Sequence, residues 1–458
     1  MTSKRERSGS HTSRRELLRT GLSAGVSAFA LSAASKAASA QSDSQWWEKI
    51  IGHGTQLDSV GASSREARAA RRRAELKDLR EGPVPLRSDE MLENLRGAVE
   101  RYEQIAARGG WPQVPGPRML RPGDDDERVP LLRRRLRATG DLGPARFNYE
   151  GYGFDGDLEQ GLMRFQQRHG LRVRGRVDRP TFAALNIPAD MRLAQLRLNM
   201  QRVRELIRDR IEDRYILVNV PAFQLEAVER YEVQRRHRVI VGRSGRETPS
   251  IKATIQALNY FPYWRVPDSV ARMDLFPRLQ KEPDYLEKEH IRALKDHFNG
   301  EEINPSTIDW SQASTQHIKF RQDPGEWNAL GLVRIDMPNE HIVYMHDTPM
   351  KNLFDQSARA YSAGCVRVQN VMELTEWIAQ YETGWDQPGR SAQIVDAGAP
   401  LTVELSRPIP VYFTYVTAWS DGQGQVSFRP DIYDRDGSRV FAGDFDPEEP
   451  PPPVTLTP

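Results

Sequence analysis

The stretch YMHDTPMKNLFDQSARAYSAGCVRVQN, residues 344–370, carries the signals that decide the fold of the C-terminal half. The run Ile342–Met345 leading into it is apolar with β-branched members, which is typical of a strand. Pro349 ends any regular element there, because proline has no amide donor and a fixed φ. Ser362–Cys365 predicts a tight turn, in which Gly364 lets the backbone approach a ligand closely. His346 is therefore expected at a strand end and Cys365 in a turn.

A helix is predicted directly after this stretch. Residues 371–381 carry apolar side chains at the helical spacing. Asn370 and Glu373 have the separation of a helix cap and its reciprocal partner. Cys365 is thus expected on a loop that enters a helix, whose free amides favour a thiolate modestly at this distance.

Cys365 and His346 are the candidate reactive pair. Cys365 is the only cysteine of the 458 residues, and residues 347–364 separate it from His346. The thiolate is the attacking form of cysteine, and an imidazole is a suitable base for it, so the pair predicts acyl transfer through a cysteine nucleophile. The alternative is an inert buried thiol beside a structural histidine. An exported chain with one unpaired thiol, in a turn flanked by polar residues, favours the reactive interpretation.

This pattern resembles the L,D-transpeptidase family of the bacterial cell wall, whose catalytic core is the YkuD-type domain. That family has a histidine, a spacer, Ser/Thr-His-Gly-Cys, a hydrophobic residue, usually Arg, and an Asn soon after. The matching positions in this chain are His346, Ser362, Gly364, Cys365, Val366, Arg367 and Asn370.

Two departures from the pattern point to one subgroup. Ala363 replaces the usual histidine, so His346 must be the base, and the spacer is slightly longer than usual. Both features resemble the large periplasmic subgroup that has a peptidoglycan-binding-like domain and a capping insertion. The segments 260–267, 321–325, 328–331 and 410–419 also resemble that subgroup. The resemblance covers roughly residues 125–440.

The resemblance implies roles for the site residues. Cys365 would attack the carbonyl after the diamino residue of a stem tetrapeptide and expel D-alanine, with His346 as base, oriented by a backbone carbonyl such as that of Asp347. Amides at Gly364 and Cys365, with the Tyr344 hydroxyl, would hold the oxyanion. Arg367 would pair with a substrate carboxylate or brace the loop. The predicted substrate-binding residues are Arg367, Ser362, Asp347 and Asn370.

The partners implied by the resemblance are peptidoglycan stem peptides, with carbapenems as covalent inhibitors and no cofactor. A second stem as acceptor would give a 3→3 crosslink, water would give a carboxypeptidase, and a protein lysine would give an anchoring enzyme. A wall-binding protein with a decayed enzyme domain is the non-catalytic alternative. A papain-like peptidase is disfavoured, because its cysteine normally precedes its histidine.

Composition argues against a nucleic-acid partner. The formal net charge is +2, but residues 1–40 hold seven Lys/Arg and two Glu, so the remaining chain has 58 basic and 61 acidic residues. That balance carries no overall basic character. The arginine runs 71–73 and 133–135 lie in helical patterns and are expected to be solvated faces, with contact to anionic wall polymer as the alternative.

The N-terminus predicts export. Arg14 and Arg15 precede a mild apolar run, as in twin-arginine signals, and residues 21–34 are too short to span a membrane stably. Ala38-Ser39-Ala40 is a small-x-small cleavage site, so residues 1–40 are expected to be removed and Gln41 to start the mature chain. The mature protein is then periplasmic, without stable membrane insertion.

The expected fold class is α+β, with a mostly β catalytic domain. Residues 41–124 are predicted as a helical scaffold, with runs at about 63–80 and 88–108 and a Pro/Gly-rich linker at 109–123. Residues 125–190 resemble the peptidoglycan-binding domain 1 family, with wall binding and a mere scaffold both open. Residues 191–212 form a connecting helix, and 441–458 a disordered tail.

The catalytic domain is predicted at residues 213–440. It begins with a β-meander, Tyr215–Val220, Phe223–Tyr231 and Glu232–Val241, and closes with strands at 401–404 and 411–418. Thr248 and Lys252 stand where the family lines its site, although a plain strand start is the favoured interpretation. Residues 265–333 break the β pattern and are expected to form a lid with helices at 270–280 and 284–288. Its histidines, His290, His297 and His317, have no metal-ligand spacing.

Overall fold

A computed structural model describes residues 75–116, 118–144 and 151–437, with residues 71 and 456. All of them belong to one unit, Ala67–Pro458. The predicted signal segment with its cleavage site, the arginines of 72–73 and all of the predicted tail except residue 456 lie outside the described residues. No described helix has both the length and the apolar character needed to cross a bilayer.

The N-terminal part is a capped helix preceded by an irregular segment. Helix α1, Asp89–Ala107, begins where Ser88 accepts a hydrogen bond from the Met91 amide, which satisfies one of the free donors of the first turn. It buries one apolar face, formed by Met91, Leu95, Ala98, Val99 and Tyr102. The other predicted helix does not reach position 80, because residues 76–80 are irregular.

A three-helix unit follows, as the sequence predicts. It consists of α2, Val129–Ala138, α3, Gly156–Arg168, and α4, Arg179–Leu185. Asp178 caps α4 by accepting a hydrogen bond from the Thr181 amide at 3.1 Å. Residues 109–123 are not a free linker, because Val114 and Leu120 are fully buried in the core of this unit and Leu120 pairs with Val177.

Helix α5, Ala189–Ile207, leads into the β-rich part. One core cluster joins α1 and α5 to the first strand and to a two-stranded sheet that follows the last long strand. The strands are β1, Arg214–Asn219, β2, Gln224–Glu229, β3, Glu232–Gly242, and the late hairpin β13, Ala418–Ser420, with β14, Val426–Phe428. The antiparallel pairs β1–β2 and β2–β3 confirm the predicted meander.

One nine-stranded sheet organises the β-rich part. Its remaining strands are β4, Ile251–Tyr260, β8, Val333–Asp336, β9, Met345–His346, β10, Ala360–Ser362, β11, Val366–Val368, and β12, Leu401–Thr414. The order is β10-β3-β11-β9-β8-β4-β12-β1-β2, and the extra pairing of β2 with β3 closes the sheet on itself. The fold is therefore mixed α+β, as predicted.

Two helices and one irregular long strand complete the sheet. Helix α9, Val371–Ala379, packs Val371, Leu374 and Ile378 into the main core, and α10, Arg390–Ala397, follows it. The two predicted closing strands are one strand, β12, whose register shifts between Glu404 and Ile409. Prolines in this stretch lack the amide that a regular ladder needs, which accounts for a break within one element.

The segment 265–333 contains strands as well as helices, contrary to the expectation that it lacks β structure. A helical stretch runs through α6, Asp268–Val270, the π-helical Ala271–Leu275 and α7, Phe276–Leu279, and α8 is Tyr285–Lys288. A separate sheet has the order β5-β7-β6, from β5, Trp264–Arg265, β6, Ile291–Lys295, and β7, Ile318–Gln322. Apolar and polar residues alternate in much of β6 and β7, and this alternation is the feature of the sequence that indicates these strands.

Candidate active site

The strand that carries His346 is shorter than predicted. It begins at Met345, while Ile342 has a φ of 56° and an exposed side chain. The Asn339 side chain accepts from the His341 and Val343 amides and donates to the Val343 carbonyl at 2.7 Å. Because these local bonds satisfy the backbone, residues 339–343 form a turn and not the predicted strand.

The register of two short strands brings four predicted residues together. Strand β9 pairs in parallel with β11, with Met345 opposite Val366 and His346 opposite Arg367. The Val366 amide donates to the Tyr344 carbonyl at 3.0 Å. Side chains alternate along a strand, so Met345 and Val366 enter the core on one face. The opposite face carries His346 and Arg367, while Tyr344 and Cys365, which directly precede the two strands, also contact the core.

The turn before Cys365 is held by hydroxyl groups. Gly364 has a φ of 127°, which a side chain would disfavour. The Ser362 hydroxyl donates to the Cys365 carbonyl at 2.6 Å and accepts from the Gly364 amide at 3.1 Å. The Thr248 hydroxyl donates to the Gly364 carbonyl at 2.8 Å. Ser362 and Thr248 therefore brace the turn, and the Ser362 hydroxyl, which was predicted to bind substrate, is engaged by the backbone of the turn.

These bonds also separate the two amides predicted for the oxyanion. The Gly364 amide is engaged by Ser362, whereas the Cys365 amide has no hydrogen-bond partner among the described residues. An oxyanion at this turn would therefore meet the Cys365 amide and the Tyr344 hydroxyl. In addition, Cys365 leads directly into β11 and not into a helix, so no helix start lies beside the thiol.

Replacing Ser362 by alanine is expected to lower the free energy of unfolding by about 1–3 kcal/mol, because a buried amide and carbonyl lose their partner. Urea denaturation followed by circular dichroism measures the change. Ser311→Ala is the matched control, since Ser311 lies in an exposed loop of the insertion. An unfolding free energy equal to that of the wild type would contradict the bracing role.

His346 is fully buried, with one ring nitrogen held and the other unpaired. The Asp347 carbonyl contacts Nδ1, and a carbonyl can only accept, so Nδ1 carries the proton. Nε2 has no hydrogen-bond partner among the described residues. Burial first, and then the charge of Arg367, lower the pKa of His346 to about 3. The ring is thus a neutral imidazole whose Nε2 makes no hydrogen bond among the described residues, and the Leu330 backbone also lies near the ring.

The Asp347 side chain has a structural position. Its carboxylate accepts from the Leu332 amide at 3.1 Å and pairs with Lys351. Gly331, with a φ of 61°, lies directly against this carboxylate, where any Cβ would collide. The predicted contact between the Asp347 side chain and substrate does not fit these bonds, whereas its backbone carbonyl orients His346.

Cys365 is a buried thiol beside Tyr344. Only 6% of Cys365 is exposed. Burial raises the pKa of the thiol to about 11, although Tyr344 and the charges of Arg367 and Arg334 act in the opposite direction. Burial also raises the pKa of the Tyr344 phenol, and the neighbouring thiol adds to this effect. Thiol, phenol and imidazole are therefore all neutral in the resting site.

Alkylation of the resting enzyme by iodoacetamide is expected to be slow at pH 7 and to accelerate about tenfold per pH unit without levelling below pH 10. The thiolate is the reacting form, and a raised pKa keeps it scarce until the pH approaches that pKa. Mass spectrometry of samples quenched at timed intervals across the pH range measures the alkylation rate. Cys365→Ala, which has no thiol, gives the background. A plateau below pH 8 would indicate a preformed thiolate–imidazolium pair.

Arg367 is a buried cation beneath the site. It is 1% exposed, its Nη1 lies 3.7 Å from the Met350 sulfur, and its Nε has no hydrogen-bond partner among the described residues. Burial lowers its pKa to about 10. Both roles predicted for Arg367, bracing of the loop and pairing with a substrate carboxylate, stay predictions.

Asn370 lies away from the predicted site. It is exposed and stands at the far end of β11 from Cys365. Its φ of 51° is left-handed, a conformation that asparagine tolerates, and its side chain makes no capping hydrogen bond. The predicted capping box is therefore wrong, because only the Asn370 carbonyl contacts the Glu373 amide, at 3.0 Å. Substrate binding by Asn370 is not supported by this position.

The insertion covers the site. Tyr344 and Ala363 pack against its core, which includes Trp264 and Leu330. Among the described residues no group of three or more His, Cys, Asp or Glu side chains could hold a metal ion. In the insertion, His290 stacks on Trp327 at 4.1 Å between ring centroids, and His317 is exposed beside Asp296.

Arg334 is a neighbour of the site that the sequence did not predict. Arg334 lies opposite His346 in the β8–β9 register, and its guanidinium is 5.7 Å from the centroid of the Tyr344 ring. Apolar and charged residues alternate in Val333-Arg334-Ile335-Asp336. This pattern predicts a strand whose two charged side chains share the face opposite the two apolar ones.

The part of the chain that forms this face of the sheet matches the model of a known family. Residues 213–403 match the family model YkuD, described as the L,D-transpeptidase catalytic domain. This part of the chain is therefore similar to the YkuD family. Residues 125–185 match the model PG_binding_1, described as "Putative peptidoglycan binding domain". The YkuD domain thus contains the whole site, from Thr248 to Arg367.

A curated relative has a name that is consistent with this family match. A Haemophilus influenzae protein named "Putative L,D-transpeptidase" is 32% identical over 245 residues, which are 53% of this chain and 48% of that protein. The chain therefore matches about half the length of this relative.

Solved structures overlap only weakly. An L,D-transpeptidase from Xylanimonas cellulosilytica is 14% identical, with a TM-score of 0.19, over 65% of this chain and 98% of that one. An L,D-transpeptidase from Stackebrandtia nassauensis is 12% identical, with a TM-score of 0.25, over 66% and 96%. At these TM-scores neither structure supports a conclusion about the YkuD domain here.

Proposed function

We propose that this protein is a cysteine L,D-transpeptidase that acts on peptidoglycan stem peptides through a thioester on Cys365. The observation that carries the proposal is the state of His346. Its Nδ1 is held by the Asp347 carbonyl, and its Nε2 is unpaired among the described residues, one strand away from Cys365. A neutral imidazole with a free Nε2 is the form that a general base requires.

In the first step the Cys365 sulfur attacks the carbonyl that follows the diamino residue of a stem tetrapeptide. The S–C bond forms, the thiol proton passes to His346 Nε2, and the C–N bond to D-alanine breaks as the leaving amine takes that proton. The Cys365 amide and the Tyr344 hydroxyl are the donors for the oxyanion. The Cys365 thiol and the His346 imidazole both start neutral, so charge separates only as the carbonyl is attacked.

In the second step an amine attacks the thioester. His346 takes the amine proton and returns a proton to the departing sulfur, so the free thiol is regenerated. If the amine belongs to the diamino residue of a second stem, the product is a 3→3 crosslink. Water in its place would give a carboxypeptidase, and a protein lysine would give an anchoring enzyme.

The remaining regions fit this function. We propose that the YkuD domain extends over residues 213–440, that residues 125–190 hold the enzyme near the wall and that 41–124 and 191–212 are supporting and connecting segments. The insertion at 265–333 is proposed as a lid, because its core contacts Tyr344 and Ala363. Export of the chain to the periplasm follows from the substrate's location and the twin-arginine pattern.

The test is product analysis with purified disaccharide-tetrapeptide. Liquid chromatography with mass spectrometry is expected to find free D-alanine and a dimer whose crosslink joins two diamino residues. Tripeptide without dimer would identify a carboxypeptidase. A folded wild-type protein that releases no D-alanine and forms no carbapenem adduct would overturn the proposal in favour of a wall-binding protein.

A further inference from the structure

A row of polar residues crosses the sheet from the proposed base. Opposed residues on adjacent strands project from the same face. The register places Arg367, His346, Arg334, Asn259 and Thr402 opposite one another across β11, β9, β8, β4 and β12. The neighbouring row, on the other face, is apolar and buried: Val366, Met345, Ile335 and Leu258. The polar row therefore continues the active-site face.

The row leads away from the nucleophile. Strands are about 4.8 Å apart in a sheet. Cys365 precedes β11, His346 is on the next strand, and Arg334 and Asn259 are on the two strands beyond it. The strand that follows Cys365, the strand of the base and the strands of the polar row are thus consecutive in the sheet, and Arg334 lies on the side of the base away from β11.

A cavity of about 320 Å³ lies over the far part of this row. Its lining includes Asn259, Arg334, Thr402, Tyr263, Arg265 and Leu401. Tyr263 and Leu401 are 47% and 40% exposed, so the cavity has an open, partly apolar rim. This volume lies at the lower end of the range for small-ligand sites and suits the side chain of an amino acid with part of its peptide.

Arg334 is held so that one edge of its guanidinium remains available. Nε and Nη2 donate to Asp336 at 2.5 and 3.0 Å. Asn259 also donates to Asp336, and Thr402 donates to Asn259 at 2.8 Å, so the network fixes the carboxylate. Nη1 of Arg334 has no hydrogen-bond partner in the described part of the chain. With 27% of its side chain exposed, Arg334 meets the cavity in a fixed orientation.

The charge in the cavity is positive. Arg265 makes no ion pair among the described residues, and its guanidinium lies 5.8 Å from the Phe298 ring centroid. Two arginines therefore line the cavity, and of these Arg334 is paired with Asp336. A partly exposed arginine fork with a free edge is a suitable partner for a carboxylate, because the charge-assisted bonds are strong and directional.

We propose that this cavity is the acceptor subsite, in which Arg334 binds a carboxylate of the accepting stem peptide. The inference rests on the proposed function. An amine held there approaches the thioester from the side of His346, which must take its proton. The C–N bond then forms, the C–S bond breaks, and the proton reaches the Cys365 sulfur through Nε2. Arg334 thereby makes the kind of carboxylate contact that was one of the two roles predicted for Arg367.

The test uses disaccharide-tetrapeptide as donor and disaccharide-tripeptide, which has no D-alanine to lose, as acceptor. Arg334→Gln is expected to raise the KM for the tripeptide on the order of 10- to 100-fold, as the loss of a charge-assisted bond does. The rate of acyl-enzyme formation from the donor is expected to change less. Arg334→Lys should restore part of the affinity, and Arg96→Gln, on the exposed face of α1, is the matched control.

A change on the ligand makes the test independent of folding. Amidation of the tripeptide carboxylates is expected to raise the wild-type KM by a similar factor and to leave the KM of Arg334→Gln nearly unchanged. The subsite is overturned if amidation affects both enzymes equally, if acylation falls as much as transfer, or if the acyl-enzyme only hydrolyses. If the wild type forms no acyl-enzyme, the proposed function itself has failed.

Discussion

Cys365→Ala is expected to reduce transpeptidation on the order of 10⁴-fold or more and to abolish the carbapenem adduct. Cys365 is the only thiol of the chain, so no other sulfur can carry an acyl group in its place. Its neighbours, the Tyr344 hydroxyl and the unpaired Cys365 amide, persist in the variant, because the backbone of the turn is held by Ser362 and Thr248. Loss of activity then reports on the sulfur itself.

Intact-mass spectrometry with a carbapenem and initial rates with disaccharide-tetrapeptide provide the two measurements. Cys365→Ser is the matched variant, since it keeps a nucleophilic atom in place but with a much higher pKa, and it is expected to be nearly as inactive. Circular dichroism establishes that both variants are folded. A carbapenem adduct on folded Cys365→Ala would contradict the assignment of the nucleophile.

His346→Gln is expected to slow acylation by about 10²- to 10⁴-fold. The glutamine amide is neutral, like the buried imidazole, and has a similar reach, so burial adds no new charge to the site. The glutamine amide cannot accept the thiol proton, however, so the Cys365 thiol must lose its proton to solvent. Burial opposes this loss, because it raises the pKa of the thiol to about 11.

The pH profile distinguishes this role from a structural one. Acylation by His346→Gln is expected to rise with pH up to at least pH 10, because hydroxide then supplies the thiolate, whereas the wild type should be nearly independent of pH above neutrality. Acyl-enzyme formation measured by quenched mass spectrometry gives the rates. His297→Gln, in an exposed position of the insertion, is the control. Parallel profiles for His346→Gln and wild type would exclude His346 as the base.

Local signals predicted the elements well. The alternation in residues 215–241 predicted the meander, the apolar spacing after Asn370 predicted α9, and Asp178 was identified as a helix cap. These features depend on residues a few positions apart, so they can be read without the fold. The motif predicted that His346 and Cys365 act together, and the register of β9 with β11 places the strand of His346 beside the strand that follows Cys365.

Long-range contacts were not predictable in the same way. Ser362 and Asp347 were expected at the substrate because they flank the motif, but their side chains satisfy the backbone around the turn and the Leu332 amide. Arg367 was predicted either to pair with a substrate carboxylate or to brace the loop, and its burial depends on the fold. Arg334 became relevant only when the register set it opposite His346, from which it is separated in the chain by residues 335–345.

The most direct test of the account is to mix the protein with disaccharide-tetrapeptide, quench in acid within the first turnover and measure the intact mass. The predicted result is a mass increase equal to the donor minus D-alanine, located by peptide mapping on Cys365 and absent in Cys365→Ala. Crosslinked or shortened product formed at a normal rate without any such acyl-enzyme would contradict the thioester mechanism.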